Sequence, residues 1–475
     1  MKGKVSRIHF VGIGGTGMCG IAEVLHNLGY QVSGSDLHYN SATQHLQAIG
    51  VKVYEGHAPE QVKDAQVIVT STAVSESNPE VVAAVSANIP VIRRAMMLSE
   101  LMRFKRGIAV AGTHGKTTTT SMTAAILDAA NFDPTYVIGG RLNSVASNAK
   151  LGKGDYIVAE ADESDASFLY LNPLYAIVTN IDEEHMQSYE FSVDKLRQSF
   201  ISFVHRLPFY GKAFLCIESE NVRAILPDIQ KPYATYGLSD NADFFATDIK
   251  AVNLQMQFTV NSRQTNELLR FPVVLNFPGQ HSVLNALAAI AISLECEADV
   301  AAIQEGLAKF QGVDRRFQRY GEVPLPQGGS IQVVDDYAHH PNEIKATLQA
   351  ARQAFQGQRL TLVFQPHRYT RTRDHFDDFI EALRLADLII LTEVYAAGEA
   401  PIAAADGKAL ARSLRTHFHL EPIYQSTLEK LPETILEVSR DQDVVLTMGA
   451  GSITKVAAWL KDLAEPVSYT HLRAH

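Results

Sequence analysis

Short apolar runs bounded by glycine and polar clusters recur along the chain, and most are followed by a stretch whose apolar positions fall at helical spacing. That alternation predicts repeated strand–turn–helix units and an α/β protein with mainly parallel sheets. In the first third, a β-type run over 5–13 precedes a helical pattern carrying Ile21, Val24, Leu25 and Leu28, and further strands are predicted over 30–34, 51–54, 67–70 and 91–94, with a helix over 95–104 leading out. In the middle third, 108–111, 156–159 and 176–179 read as buried strands, 191–208 as helix, the stretch to about 271 as β-rich and irregular, and 280–294 as an alanine-rich helix. The last third returns to the first pattern, with buried strands at 331–334, 360–364, 388–391 and 444–446.

The polar clusters at the strand ends carry the candidate chemistry, because ligands of parallel sheets bind at that edge. After 108–111 comes Gly112-Thr113-His114-Gly115-Lys116-Thr117-Thr118, with a helical pattern starting near Ser121. Such a turn aims backbone N–H groups, a helix N-terminus and an ammonium at one spot, which suits a polyphosphate, and Thr117 can offer its hydroxyl to a magnesium ion. Val110 stands where the strict P-loop pattern has its first glycine, so the motif is a shortened relative. Glu160 and His185, following the two neighbouring strands, are the candidate metal ligands, whereas Asp162 and Glu163 read as capping or solvated loop acids. Gly12–Gly17 fits G-x-G-x-x-G, and Asp36 ends the next strand where a dinucleotide fold places a ribose-binding acid. Paired Arg315 and Arg316 mark a linker, and Arg368, Arg371 and Arg373 crowd one strand end as a receptor for carboxylate or phosphate.

Length and composition narrow the classes. At 475 residues the chain accommodates roughly three domains. The net charge of −10 argues against nonspecific nucleic-acid binding. An odd count of three cysteines without motif spacing points to buried thiols in a reducing compartment. The start of the chain has no signal-peptide pattern and no apolar stretch is long enough for a bilayer, so a cytoplasmic protein is expected, with no membrane partner. The blocks are 1–106, a dinucleotide-type domain; 107–314, a central nucleotide domain; 315–463, a second Rossmann-like domain; and 464–475, a tail that breaks the last helical period and reads as foreign or disordered sequence. Two anion-friendly outer blocks around a phosphate block suggest an enzyme that couples two ligands at the expense of a triphosphate. An NAD-dependent dehydrogenase using Gly12–Gly17 and Asp36, and a nucleotide-gated binding module, are the rival classes.

The runs GTHGKTTTT (112–120), EADESDASF (160–168), TNIDEEHM (179–186), GVDRRF (312–317), DDYAHHP (335–341), FQPHRYTRTRD (364–374) and GEAPI (398–402) resemble the Mur ligases, in order, over about 5–463. The resemblance is to the alanine-adding branch, since no lysine occurs between Gln198 and His205, where later-acting members carry a modified one. It implies three α/β domains, N-terminal Rossmann-like, central P-loop-type ATPase and C-terminal Rossmann-like. It also implies ATP and Mg2+ as cofactors, UDP-N-acetylmuramate and L-alanine as substrates, an acyl-phosphate intermediate, and a monomer or weak homodimer. Carried onto this chain, Gly112, Thr113, His114, Gly115, Lys116, Thr117, Thr118 and Asn180 would hold the triphosphate, with Thr117 and Glu160 on one magnesium ion and His185 with Glu160 on a second. His281 and Asn285 would lie near adenine, and Arg316 and Asp336 would reach the nucleotide; Ser282 stands where the family usually has Asn. Gly14, Gly15, Thr16, Asp36, Ser71 and Arg94 would hold the sugar nucleotide, and His340, Arg368 and Arg371 the two carboxylates. Within the same class, a tripeptide-recycling muramate ligase and folylpolyglutamate synthetases are the nearest alternatives.

Overall fold

The computed structural model describes residues 1, 3–142, 147–264 and 268–464, so the tail beyond 464 lies outside the described residues. The described residues form three sheets of five, ten and six strands. It divides into two compact units, one of residues 1–250, 257–276 and 282–313, the other of residues 251–256, 277–281 and 314 onward.

The first unit carries two sheets. The five-stranded sheet is parallel in the order Lys52–Glu55, Gln31–Asp36, Arg7–Val11, Val67–Thr70, Val91–Arg93. In the ten-stranded sheet, Arg106–Ala111 lies between Tyr156–Glu160 and Tyr175–Val178, both parallel to it. Ile108, Ala109, Val110 and Ala111 are fully buried, as a strand covered on both faces requires. The register sets Glu160 opposite Val110 and Val178 opposite Ala111. Three loops therefore start at one level: the glycine loop in the middle, the acidic run 160–165 on one side and 179–185 on the other. Behind them, Phe168 packs on Phe200 and Phe203 at ring-centroid distances of 5.1 and 5.0 Å. Each such buried ring contributes about 1.5–3 kcal/mol, which fixes the acidic loop to the helix Val193–His205.

The second unit is built on the six-stranded sheet. Gln318–Pro324 pairs antiparallel with Ser330–Asp336, and Val444–Met448, Leu360–Phe364, Leu388–Leu391 and Ile423–Tyr424 continue it in parallel. Asp336 and Phe364 are both level with Met448, so the clusters after these strands share an edge.

Two expectations change. The helix after the glycine loop starts at Lys116 rather than near Ser121. Its threonine and serine hydroxyls return to the backbone one turn earlier, Ser121 Oγ donating to Thr117 O at 2.7 Å and Thr123 Oγ1 to Thr119 O at 2.8 Å, so a polar run that weakens the helical signal is still helical. The strands Thr135–Leu142 and Ser147–Lys150 were not foreseen, because glycines and polar residues interrupt their apolar alternation.

Candidate active site

The glycine loop owes its path to two left-handed residues: Gly112 has φ 130° and Gly115 has φ 81°. A Cβ at 112 would stand 2.0 Å from Thr179 Oγ1, so no other residue fits there. The strand-end residues next door fasten the loop. Thr113 N–H donates to Asn180 O at 3.2 Å and His114 N–H to Asn180 Oδ1 at 2.8 Å, while Asn180 Nδ2 and Thr179 Oγ1 donate back to His114 O at 3.0 and 2.6 Å. Asn180 is thus a clamp on the loop. Asn285 is another: its Oδ1 accepts from Thr119 Oγ1 at 3.2 Å and would lie 2.5 Å from a Cβ at 115. The first amides of the helix, from Lys116 through Thr117 and Thr118, have no intrahelical acceptor and point out of its N-terminus.

Lys116 is folded onto its own loop. Its Nζ donates to Gly112 O at 2.6 Å and Thr113 O at 3.0 Å, and pairs with Glu163 Oε2 at 2.8 Å. Glu163 is buried, which corrects its reading as a capping or solvated loop acid. Burial works against both charges and pushes the Glu163 carboxyl up to about 7, but the nearby carboxylates of Glu163, Asp162 and Glu160 outweigh it for Lys116, whose ammonium is held above its ordinary value.

Glu160 ends its strand with Oε1 accepting the Gly139 N–H at 2.6 Å; a Cβ at 139 would stand 2.9 Å from Oε2, so the carboxylate packs where only glycine fits. His185 is exposed, with φ 55°, at the start of the short turn Met186–Tyr189. Among the described residues no group of three or more His, Cys, Asp or Glu side chains is gathered closely enough to hold a metal alone. Asp162 pairs with Arg94 at 3.3 Å and accepts from Ser164 Oγ at 2.7 Å; burial opposes its charge, but Ser164, Lys116 and Arg94 hold its carboxyl below the usual range.

In the five-stranded domain, the glycine turn closes on itself. Gly12 and Ile13 N–H donate to Ser35 O at 2.8 and 2.9 Å, Gly14 N–H to Asp36 Oδ2 at 2.8 Å, and Gly15 N–H to Gly12 O at 3.2 Å. Gly14 is glycine because a Cβ would stand 2.7 Å from Asn40 Nδ2 and 2.8 Å from Asp36 Oδ2. The helix then starts at Thr16, and Arg94 Nη1 would lie 3.0 Å from a Cβ at Gly17. Ser71 follows the strand Val67–Thr70 on the wall of a cavity of about 770 Å³.

In the second unit, Arg315 and Arg316 both stand over the Tyr337 ring, at 4.9 and 5.3 Å, and Arg316 lies 3.8 Å from Glu343. His281 is exposed in the same unit. Asp336 accepts the N–H groups of Phe317 and Ala338 at 2.7 and 2.8 Å, and burial raises its carboxyl to about 6 despite Arg316. These bonds make it a fastener of the linker, a use that the prediction of nucleotide contact did not include. His340 is buried against His375 at 4.7 Å between ring centroids, and its N–H donates to Glu343 at 3.2 Å. Arg368 is exposed with φ 68°, its N–H bonded to Tyr395 O at 2.9 Å, and Arg371 Nη1 lies 3.2 Å from His367 Nδ1. His367 stacks on Tyr395 at 5.5 Å and meets His339 edge-on at 5.8 Å. Burial, then His339, Arg371 and Arg368, lower its pKa to about 4, so at neutral pH it is neutral and its Nδ1 can accept from the guanidinium.

Sequence reasoning missed Glu163, His367, Tyr395 and Glu399. Glu399 accepts Thr370 N–H and Oγ1 at 3.0 and 2.7 Å, which anchors the arginine segment. For His367 the signal was its place directly after a buried strand; for Glu163 there was none.

A lysine-bearing glycine loop at the carboxyl edge of a mainly parallel sheet defines a phosphate-loop α/β enzyme. Three family descriptions match in order: "Mur ligase family, catalytic domain" over 7–106, "Mur ligase middle domain" over 110–293 and "Mur ligase, glutamate ligase domain" over 315–451. The chain is 63% identical over 468 residues to the UDP-N-acetylmuramate–L-alanine ligase of Neisseria meningitidis, covering 98% of this chain and 100% of that one. It is 58% identical over 464 residues to the enzyme of the same name from Chromobacterium violaceum, covering 98% and 100%. Among solved structures, the UDP-N-acetylmuramate–alanine ligase of Thermotoga maritima is similar with TM-score 0.80 and 30% identity over 96% of this chain and 98% of that one. A murein peptide ligase from Psychrobacter arcticus is similar with TM-score 0.71 and 26% identity over 97% and 99%. The chain belongs to the Mur ligase family.

Proposed function

We propose that this protein joins L-alanine to the carboxylate of UDP-N-acetylmuramate in the cytoplasm, converting ATP to ADP and phosphate, as a step of peptidoglycan precursor synthesis. The observation that carries the reading is the Lys116 loop, with an acid at one neighbouring strand end and a clamp at the other, in a chain alike over its full length to relatives named for that reaction. No helix among the described residues is long and apolar enough to cross a membrane.

A carboxylate does not acylate an amine directly, because oxide is a poor leaving group. An oxygen of the sugar-linked carboxylate attacks the γ-phosphorus, the bond to ADP breaks, and an acyl phosphate forms. The alanine amine then attacks the acyl carbon, phosphate leaves with the oxygen that joined it, and the nitrogen loses a proton. In this reading the amides of Lys116, Thr117 and Thr118 and the Lys116 ammonium bind the triphosphate and oppose the charge that develops during transfer. Glu160 and Thr117 are oxygen donors of the kind magnesium takes and would hold one ion, and His185 with Glu160 would hold a second; the ions, when bound, would neutralise phosphate charge. Arg94, Asp36 and the turn at Gly14 and Gly15 serve the sugar nucleotide, and Arg368, Arg371 and His340 the carboxylates.

The test is phosphate release from ATP by the purified protein with UDP-N-acetylmuramate and each standard amino acid in turn. Release dependent on both partners, strongest with L-alanine, is the expected result. Release independent of the amino acid would instead indicate a nucleotide-driven binding module, and preference for a tripeptide a recycling ligase. A hydride-transfer enzyme has no use for Lys116 or Glu160.

A further inference from the structure

An ammonium has three N–H donors, and two of those on Lys116 are hydrogen-bonded inside the protein while its charge is paired with Glu163. Both go to carbonyls of the loop that carries the lysine and would travel with it. The ion partner, Glu163, belongs to a different segment: it follows the strand Tyr156–Glu160, is 3% exposed, and is tied down through its own carbonyl, which accepts the Tyr189 hydroxyl. The adjacent acid does not compete for this place, since Asp162 is engaged by Arg94 at 3.3 Å and Ser164 at 2.7 Å. Glu163 is thus the ion partner of Lys116.

We propose that Glu163 is a positioning residue that holds Lys116 in competition with the triphosphate, so that nucleotide binding is an exchange of the ammonium from a buried carboxylate to phosphate oxygens. The inference rests on the reading that the central domain binds ATP. Its energetics follow from burial: when the lysine turns to phosphate, Glu163 stays behind as a buried acid without its cation, a state that costs free energy and is charged against ATP affinity. The benefit is an ordered lysine already at the loop when the nucleotide arrives.

The experiment compares the full-length protein with Glu163→Gln and Glu163→Asp, titrating ATP with magnesium chloride by calorimetry and measuring KM and kcat separately. Glutamine keeps the shape and removes the charge; ATP binds about tenfold tighter and its KM falls in parallel, while kcat stays within about twofold. Aspartate keeps the charge but draws it back by one methylene, so affinity rises by a smaller factor of about threefold, a comparison that stands even if the glutamine variant fails to fold. Unchanged or weaker ATP binding in either folded variant, with its melting temperature close to that of the parent, overturns the exchange and leaves Glu163 a structural prop. A parent protein that binds no ATP overturns the ligase reading itself, and this inference with it.

Discussion

Two glycine-rich turns of this chain follow the same plan, strand, turn and helix, yet they dispose of their amides in different ways. At Gly12–Gly15 four successive N–H groups are bonded inside the domain, to Ser35, to Asp36 and to Gly12 itself. At Gly112–Thr118 only the first part is tied back, through Thr113 and His114 to Asn180, and the helix N-terminus follows with its lysine held by a buried acid. A glycine pattern reports that a tight turn is needed; what the turn can bind depends on which amides the surrounding side chains have already taken. Asp36, placed as a ribose acid by spacing and on the sugar nucleotide by the resemblance, is in the structure also a brace for its own turn.

The contrast can be broken experimentally. The largest effect is expected at Lys116→Ala, which should lower phosphate release by about 10³-fold while the protein stays folded by circular dichroism. Next, Gly112→Ala drives a Cβ into Thr179 at a left-handed φ and should cost about 3 kcal/mol or more in urea unfolding, whereas Gly15→Ala, whose Cβ would meet nothing nearer than 3.5 Å, should cost far less. Asp36→Ala removes the brace from the first turn only, so KM for UDP-N-acetylmuramate should rise about tenfold and KM for ATP should not move. Arg371→Lys loses the planar fork beside His367 and should raise KM for L-alanine by about tenfold or less, with ATP binding untouched.

The smallest effect concerns pH. His367 is harder to protonate in the folded protein, about 4 against an ordinary 6.5, so the stability it contributes is present above 6.5 and is lost as pH falls through the interval toward 4. Melting temperature should decline over that interval, and His367→Asn should make the decline shallower.

Most of the scaffold was legible because strands covered on both faces are written as unbroken apolar runs: Ile108–Ala111, Leu360–Phe364 and Val444–Leu446 needed no tertiary information. Their order on the sheet edge then gathered the polar clusters. What could not be read was how charges pair once gathered. Glu163 sits in an acidic run that looks solvated in one dimension, and only the folded loop, its carbonyl bonded to Tyr189, turns it into the buried partner of Lys116. Asp336 was placed near the nucleotide by the resemblance alone, and its bonds to the Phe317 and Ala338 N–H groups leave no mark in its own motif. The polar strands Thr135–Leu142 and Ser147–Lys150 hid because their pattern lacks clean alternation.

The central claim is that the sugar-linked carboxylate is phosphorylated before the amine attacks. Turnover of UDP-N-acetylmuramate carrying 18O in both carboxylate oxygens, with unlabelled ATP and L-alanine, tests it directly by mass spectrometry of the released phosphate. The acyl-phosphate route predicts one heavy oxygen in each phosphate and the other retained in the new amide; phosphate free of label would contradict it.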